Sequence, residues 1–195
     1  MAPPRKHETD AILDAARALV LTDGPRAASV AAIAKASGAP TGTLYHRFGN
    51  RNGILAAAWL RALERFQSRA MAAAADTSLE TAVAMAVSFV QFARELPGDA
   101  RLLLALRGSD LLDGEPETDF VETLAAMNAP LLARVNDLAG QLYGKTDERT
   151  VDAVARAVGD LPYGVVRRHA YDEPMPAWLE ADVGAAVRAL LGAYD

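Results

Sequence analysis

Apolar side chains recur three or four positions apart along almost all of the 195-residue chain. No stretch alternates apolar and polar residues at the two-residue period of a strand for long enough to build a sheet. In the first of these runs, the residues that share one stripe of a helix are Ile12, Ala16, Leu19 and Val20. The sequence therefore predicts an all-α fold of about eight or nine helices.

Capping residues and helix breakers mark where these helices begin and end. Ser29 is a favourable N-cap for a second helix, which Gly38 ends. A third helix stops at Gly49, and Asn50 then caps a long fourth one. Further breaks predict helices at about residues 77–96, 99–108, 117–142, 147–169 and 177–193. Pro130 is expected to kink or interrupt the third of these.

The composition excludes several classes of protein. With 51% hydrophobic residues the chain is too apolar to be intrinsically disordered, and without cysteine it has no disulfide, thiolate metal site or redox dithiol. Its apolar runs, such as 70–75 and 102–106, are far shorter than the ~20 residues that a membrane-spanning helix needs. Charge returns at Glu8 and Asp10, so the N-terminus does not resemble a secretory signal. These features predict a soluble, cytoplasmic protein with no membrane partner.

Charge is distributed unevenly along the chain. Residues 1–51 carry seven basic and four acidic side chains, a net charge of +3, whereas the remainder has a net charge of −8. A basic head on an acidic body is the pattern expected when only the head meets a polyanion. An excess of this size is also compatible with chance, so the charge by itself leaves nucleic-acid binding open.

Residues 29–48 predict two short helices joined by a tight turn, in which one helix enters the DNA major groove and the other braces it. Leu44 and Phe48 lie four positions apart, on the face expected to pack against Ile33. The other faces of the second helix carry hydroxyl, imidazole and guanidinium groups, which suit phosphate oxygens and base edges. These groups belong to Thr41, Thr43, Tyr45, His46 and Arg47.

The run from Gly38 to Leu55, Gly-Ala-Pro-Thr-Gly-Thr-Leu-Tyr-His-Arg-Phe-Gly-Asn-Arg-Asn-Gly-Ile-Leu, resembles the signature of TetR-family transcriptional repressors. The spacing of the preceding apolar residues also fits that family's first two helices, so the resemblance covers roughly residues 8–60. It implies a helix-turn-helix DNA-binding domain at residues 1–50 and a helical ligand-binding and dimerisation domain at residues 51–195.

The resemblance also implies roles for individual residues. In the recognition helix it assigns DNA contacts to Thr43, Tyr45, His46 and Arg47. Tyr45 occupies a position directed at the phosphate backbone, and Ser29 matches a phosphate-contacting position. Arg51 stands where the family has lysine, so it is expected to act as a phosphate clamp. Asn52 and Gly53 replace a commoner acidic pair, and Gly53 is expected to weaken the first turn of the fourth helix by up to ~1 kcal/mol relative to alanine.

Some of these residues have a simpler interpretation. The Tyr45 ring could be half-buried packing with its hydroxyl in water, and Arg5 and Lys6 form either a solubilising arm or an arm that follows the DNA backbone. His46 is not expected to bind a metal, because the other two histidines lie far away in sequence and no ligand spacing links the three. No metal site and no cofactor are therefore predicted.

In the family that the sequence resembles, the C-terminal helices form a dimer and a ligand pocket. The last two predicted helices are amphipathic, and small residues such as Gly164 and Ala185 permit close helix approach. Their apolar residues are Val151, Val154, Val158, Leu161, Val165, Val183, Val187, Leu190 and Leu191. The chain is expected to form a homodimer through these helices. The alternative is that the same residues pack only within their own subunit.

Aromatic and methionine side chains of the middle helices are the candidates for the ligand pocket: Trp59, Phe66, Phe89, Phe92, Phe120, Met127 and Tyr163. Most such residues are ordinary core, and any that line a cavity imply a largely apolar ligand. A polar anchor for that ligand is sought among Gln91, Arg94 and Arg107.

These features predict a homodimeric, ligand-responsive transcriptional regulator. It is expected to be a repressor that binds a palindromic operator and is released by a small-molecule effector. No nucleophile and base stand at a recognisable spacing, so no catalytic residue is predicted and the alternative of a helical enzyme is disfavoured. A further alternative is a helical binding protein that has kept the head but lost operator recognition.

Overall fold

The computed structural model describes residues 5–106 and 118–193, with side chains described from Thr9 and from Phe120 onward in the two ranges. The candidate arm residues Arg5 and Lys6, and the candidate anchor Arg107, lie outside the described side chains. Across the described ranges the regular structure is helical and contains no strand, which confirms the all-α prediction.

These ranges contain ten α-helices and a short 3-10 helix, Pro25–Ala27. The α-helices are α1 (Arg5–Asp23), α2 (Val30–Ser37), α3 (Thr41–Phe48), α4 (Arg51–Ala72), α5 (Ser78–Glu95), α6 (Pro97–Ala105), α7 (Thr118–Tyr143), α8 (Glu148–Ala155), α9 (Leu161–His169) and α10 (Leu179–Gly192). Their bounds agree with the predicted ones to within a few residues, because glycine, proline and capping side chains mark most helix ends.

Two prolines lie within predicted helices and have different effects. A π turn, Arg156–Asp160, joins α8 to α9, so the helix predicted at 147–169 is one helical stretch with a wide turn inside it. Pro162 explains the wide turn, because it offers no N–H to the carbonyl of Val158 and its ring would collide with that carbonyl in a regular helix. Pro130 lies inside the continuous helix α7, which excludes an interruption there.

The predicted caps of the N-terminal helices are confirmed. The Ser29 hydroxyl accepts a hydrogen bond from the N–H of the third residue of α2 at 3.1 Å. The Asn50 side-chain carbonyl accepts one from the third residue of α4 at 2.9 Å. Gly38 and Gly49 end α2 and α3 with φ of 72°, a backbone region that favours glycine. Local sequence therefore specifies both the turn between α2 and α3 and the junction from α3 to α4.

The chain packs as two compact units. The first is formed by Met1–Leu63 with Gly98–Val121, and the second by Glu64–Pro97 with Glu122–Asp195. The first unit thus includes α6 and the beginning of α4, whose residues Ile54 and Leu102 are fully buried. The boundary between functional domains that is expected after residue 50 stays a prediction. The boundary between the packed units differs from it, because the buried side chains of α6 and of the beginning of α4 belong to the first unit.

Ion pairs tie α1 to α4 and α6 within the first unit. Arg17 of α1 pairs with Asp99 of α6, a residue that is 1% exposed, and also lies 3.2 Å from Asp14. Arg61 of α4 pairs with the same Asp14 at 2.6 Å and with Asp10 at 2.8 Å. Helix α1 is therefore held by charged side chains on two neighbouring helices.

In the second unit, α5 packs against both α9 and α10. Val90 of α5 and Val187 of α10 are fully buried. Of the apolar residues expected at the dimer interface, five are buried inside the protomer: Val154, Val158, Val183, Val187 and Leu191. Their assignment to the interface is therefore wrong, since a side chain that already packs within its own subunit has no surface left for a partner.

Candidate nucleic-acid interface

Helices α2 and α3 form the predicted helix-turn-helix. Gly38 turns the chain in the left-handed region, and Pro40 precedes α3 with an extended backbone at φ −60° and ψ 138°. Ile33 of α2 and Leu44 of α3 are fully buried, whereas Phe48 is only half-buried. The recognition helix is therefore anchored by one apolar face and presents its opposite face outward.

The outward face of α3 carries the polar residues that the sequence predicts. The Tyr45 side chain is 53% exposed, and Thr41 and His46 are exposed as well. Thr43, His46 and Arg47 take part in lining a shallow surface depression. Hydroxyl, imidazole and guanidinium groups thus lie on one helix surface, where they can hydrogen-bond to phosphate oxygens and base edges.

Arg47 is less exposed than the two residues before it, and it contacts α1. Its Nη1 donates a hydrogen bond to the hydroxyl oxygen of Thr9 at 2.9 Å. The two residues are 38 positions apart, and Thr9 precedes the first apolar stripe. Sequence reasoning therefore missed Thr9, because no local pattern marks it.

Ser29 and Arg51, both expected to contact phosphates, have partners within the chain. Ser29 is exposed, and its hydroxyl can still donate to a phosphate while its oxygen caps α2. Arg51 donates from Nε to the carbonyl of Ala28 at 3.0 Å and from Nη2 to the carbonyl of Pro25. Arg51 therefore fastens the start of α4 to the segment before α2, a structural role that the sequence did not indicate. Its phosphate contact stays a prediction.

Gly53 lies in the first turn of α4, and the structure changes its interpretation. A Cβ at this position would stand 2.0 Å from the carbonyl oxygen of Phe48, the last residue of α3. That oxygen also accepts a hydrogen bond from the N–H of Asn50 at 2.8 Å, which restricts its movement. The expectation that alanine would strengthen this turn is therefore wrong, because only glycine lets α4 begin this close to α3.

The candidate ligand residues are divided between the two compact units. In the first unit, the Trp59 indole donates to the carbonyl of Leu106 at 3.0 Å, and its ring centre lies 6.2 Å from that of Phe120. Met127 of α7 is half-buried, whereas Tyr163 is exposed on α9. Tyr163 therefore lies on the surface of the protomer rather than in its core.

Three of the candidate ligand residues form an aromatic cluster in the second unit. Phe66 of α4 packs edge-on against Phe89 and Phe92 of α5, with ring-centre distances of 4.2 and 5.6 Å. The guanidinium of Arg69 lies 5.7 Å from the centre of the Phe92 ring and pairs with Glu95 at 2.6 Å. The three rings lie in mutual contact around Phe66, and their role in ligand binding stays a prediction.

Two of the three polar anchors suggested by the sequence contact another helix of the protein. Gln91 and Arg94 both contact Glu180 near the start of α10, the first at 3.1 Å and the second as an ion pair. A polar pair that the sequence did not indicate joins α4 to α7: Gln67 Nε2 donates to Asn128 Oδ1 at 2.7 Å, and Gln67 is buried. Only the tertiary structure reveals this pair, since the two residues are 61 positions apart.

The carboxylates whose pKa values are shifted belong to the second unit. Hydrogen bonds from the Thr150 N–H and from Lys145 lower the pKa of Asp147, the N-cap of α8, to about 2. The Arg188 guanidinium lowers the pKa of Glu80 by hydrogen bonding, and its own pKa is raised in return. Asp147 caps α8, and the ion pair of Glu80 with Arg188 joins α5 to α10.

Among the residues that the structure describes, no group of three or more His, Asp or Glu side chains could hold a metal ion. No helix in the described ranges is long and apolar enough to cross a membrane.

Known proteins resemble this chain in both sequence and fold. Residues 12–58 match the family model described as bacterial regulatory proteins, tetR family. The HTH-type transcriptional regulator AlkX of Mycobacterium tuberculosis is 26% identical over 182 residues, which cover 93% of this chain and 82% of AlkX. A TetR-family transcriptional regulator from Streptomyces coelicolor superposes with a TM-score of 0.72 at 18% identity and covers 96% of each chain. FadR from Bacillus subtilis, solved in complex with stearoyl-CoA, superposes with a TM-score of 0.66 at 19% identity and covers 93% of this chain and 96% of FadR.

The matches agree with the geometry of α1–α4. The matched stretch runs from the core residue Ile12 of α1 to Ala58 of α4, and it contains the complete helix-turn-helix. The similar proteins are transcriptional regulators rather than enzymes. Residues 12–58 therefore match the tetR family, and the chain as a whole is similar in sequence and fold to bacterial transcriptional regulators of that family.

Proposed function

We propose that the protein is a homodimeric repressor that binds a palindromic operator in the cytoplasm and is released from it by a small, largely apolar effector. The main observation that supports this proposal is the outward face of α3. Thr41, Tyr45 and His46 are exposed on a helix whose other face is anchored by the buried Leu44. A helix of this kind fits the major groove and presents its hydrogen-bonding groups to bases and phosphates.

Two symmetric copies supply the specificity that one short recognition helix lacks. Because several valines of the last helices are buried, the proposed interface uses the outward side of the same region instead. Its exposed aromatic and small residues are Tyr163, Gly164, Tyr171, Ala181, Ala185 and Ala189. Small side chains allow helices of two subunits to approach closely and form a four-helix interface. The two half-sites are then expected ~34–36 Å apart, centre to centre.

The second unit supports an apolar effector. Its Phe66–Phe89–Phe92 cluster offers aromatic surface, and FadR from Bacillus subtilis was solved with stearoyl-CoA. The effector must bind more tightly to a dimer conformation whose heads no longer match the two half-sites. Helix α4 is the proposed link, because one continuous helix carries both Arg51 at the head and Phe66 of the cluster.

Fluorescence anisotropy tests DNA recognition. Purified protein is titrated into labelled duplexes from its own upstream intergenic region and into scrambled duplexes, at two salt concentrations. We expect tight binding to the native duplexes alone, weakening steeply with salt as counterions are released. Tyr45→Ala and Arg47→Ala are expected to weaken this binding strongly without changing the dimer mass. Equal, weak binding to native and scrambled duplexes would contradict operator recognition in this region.

Light scattering tests the proposed dimer, and an effector titration tests the proposed release from DNA. Ala185→Asp, on the exposed face of α10, is expected to give a monomer with unchanged helix content, while Ala133→Asp on the exposed face of α7 stays dimeric. An unchanged dimer mass for Ala185→Asp would place the interface elsewhere.

Stearoyl-CoA added to the protein–DNA complex is expected to lower the anisotropy. No response up to its solubility limit would exclude long-chain acyl-CoA thioesters as the effector.

A further inference from the structure

We infer that Thr9 of α1 is a positioning residue for DNA reading, which holds the guanidinium of Arg47 in one orientation on the recognition surface. This inference rests on the proposed operator binding and deepens it, because it names a residue outside the helix-turn-helix that shapes base preference. The juxtaposition that carries it is the 2.9 Å hydrogen bond from Arg47 Nη1 to Thr9 Oγ1.

Arg47 differs from the neighbouring residues of α3 in how much freedom it has. Tyr45 and His46 are exposed, whereas Arg47 and Thr9 are both half-buried. Arg47 still takes part, with Thr43 and His46, in lining the depression on the surface of α3. Its guanidinium is therefore both part of the recognition surface and fixed at one terminal nitrogen.

The first turns of α1 form a firm support for this contact. Asp10, the residue after Thr9, is held by Arg61 of α4, whose Nη1 lies 2.8 Å from Asp10 Oδ1 and 3.3 Å from its carbonyl oxygen. The other terminal nitrogen of Arg61 lies 2.6 Å from Asp14, one turn further along α1. Thr9 is therefore held on a helix that is bound to α4 at two successive turns.

A fixed guanidinium has a specific consequence for recognition. Arginine reads guanine through two parallel hydrogen bonds to O6 and N7, and this pairing requires the planar group to lie in the plane of the base. A long, mobile side chain loses conformational freedom when it forms such a pair, and a side chain that is already held loses less. Thr9 is thus expected to favour guanine at the half-site position that Arg47 reads.

Selection from a random duplex pool followed by sequencing tests this role. Thr9→Val keeps the shape of the side chain and removes the hydrogen-bond acceptor, whereas Thr9→Ser retains the acceptor. Thr22→Val, an exposed threonine near the other end of α1, is the matched control. We expect wild type, Thr9→Ser and Thr22→Val to select the same palindrome. Thr9→Val is expected to lose the guanine preference at one position in each half-site and to bind the selected site about two- to tenfold more weakly.

A double-mutant cycle separates positioning from a general structural role. In an Arg47→Ala background, Thr9→Val is expected to have no further effect on DNA affinity. The single variant Thr9→Val should show the same salt dependence of DNA binding as wild type, because that substitution removes no charge. An unchanged preference in Thr9→Val, or an equal loss of affinity in both backgrounds, would overturn the inference.

Spectroscopy of the free protein keeps this test distinct from that of operator binding. In ¹H–¹⁵N spectra, a guanidinium signal that disappears in Arg47→Ala is assigned to Arg47. It should exchange slowly in wild type and Thr9→Ser and rapidly in Thr9→Val. Equal exchange in all three would refute the contact itself. If the wild-type protein selects no sequence from the pool, the proposed function fails, and the role of Thr9 in reading fails with it.

Discussion

Replacing Gly53 by alanine sets two physical effects of opposite sign against each other. Helix propensity alone predicts that alanine stabilises the first turn of α4 by up to ~1 kcal/mol. The geometry predicts the reverse, because the new Cβ would stand 2.0 Å from the carbonyl oxygen of Phe48. The two atoms must separate by at least 1 Å to reach the 3.0 Å below which real Cβ contacts essentially never lie.

The separation requires backbone movement, since the opposing atom is a carbonyl rather than the end of a flexible side chain. Overpacking of this kind costs about 1–3 kcal/mol. Moving the Phe48 carbonyl also weakens the 2.8 Å hydrogen bond that it accepts from the Asn50 N–H, and such a bond contributes about 1 kcal/mol to stability. After subtraction of the propensity gain, we expect Gly53→Ala to lower the free energy of unfolding by about 1–3 kcal/mol.

Urea unfolding at a fixed protein concentration measures this change, with Gly42→Ala as the control. Gly42 is also near the start of a helix, but a Cβ there meets nothing within 4 Å, so its replacement is expected to be neutral or stabilising. Gly53→Ala should in addition weaken operator binding, because the shift occurs where α3 is joined to α4. A Gly53→Ala protein that is as stable as wild type and binds DNA equally well would refute the reasoning.

Three further predictions concern buried or capping residues. Asp99→Asn is expected to cost about 1–3 kcal/mol in urea unfolding, because Arg17 loses its buried partner; a change within error would mean that the pair contributes nothing. The Thr150 N–H lowers the pKa of Asp147 from 3.8 to about 2, so the stability that the ionised carboxylate contributes is complete above pH 3.8 and lost as pH falls towards 2. Wild type should therefore lose more stability than Asp147→Asn across this range, and parallel pH profiles would contradict the assignment. Val187→Asp places a carboxylate at a fully buried site, so circular dichroism should show loss of structure rather than only a change in dimer mass.

Much of the recognition head could be predicted because its signals are local. Ser29 and Asn50 cap helices from three residues away, and Gly38 and Gly49 adopt a backbone region that favours glycine. The four-residue spacing of Leu44 and Phe48 likewise indicates which face of α3 turns inward, although only Leu44 is fully buried. Each of these effects depends on neighbours within one or two helical turns.

The second unit was harder to predict, because an amphipathic helix shows that a face is buried but not what buries it. Val183 and Val187 have the period of an interface helix, and they pack within the protomer instead. Gln91 and Arg94 have suitable chemistry for a ligand anchor, but both contact Glu180 on a distant helix. In each case the partner lies far away in sequence, so the pattern could not choose between the alternatives.

The sequence by itself determined the helical class, most helix ends and the resemblance of the head to TetR-family regulators, since these follow from periodicity, capping chemistry and one contiguous motif. Only the tertiary structure decided that Gly53 is required by the carbonyl of Phe48, and that Arg51 fastens α4 to the segment before α2. It alone also placed Thr9 against Arg47. The physical reason is common to all three. They depend on the distance between atoms of different structural elements, and hydrophobic periodicity fixes which face of a helix is buried without fixing which atoms it meets.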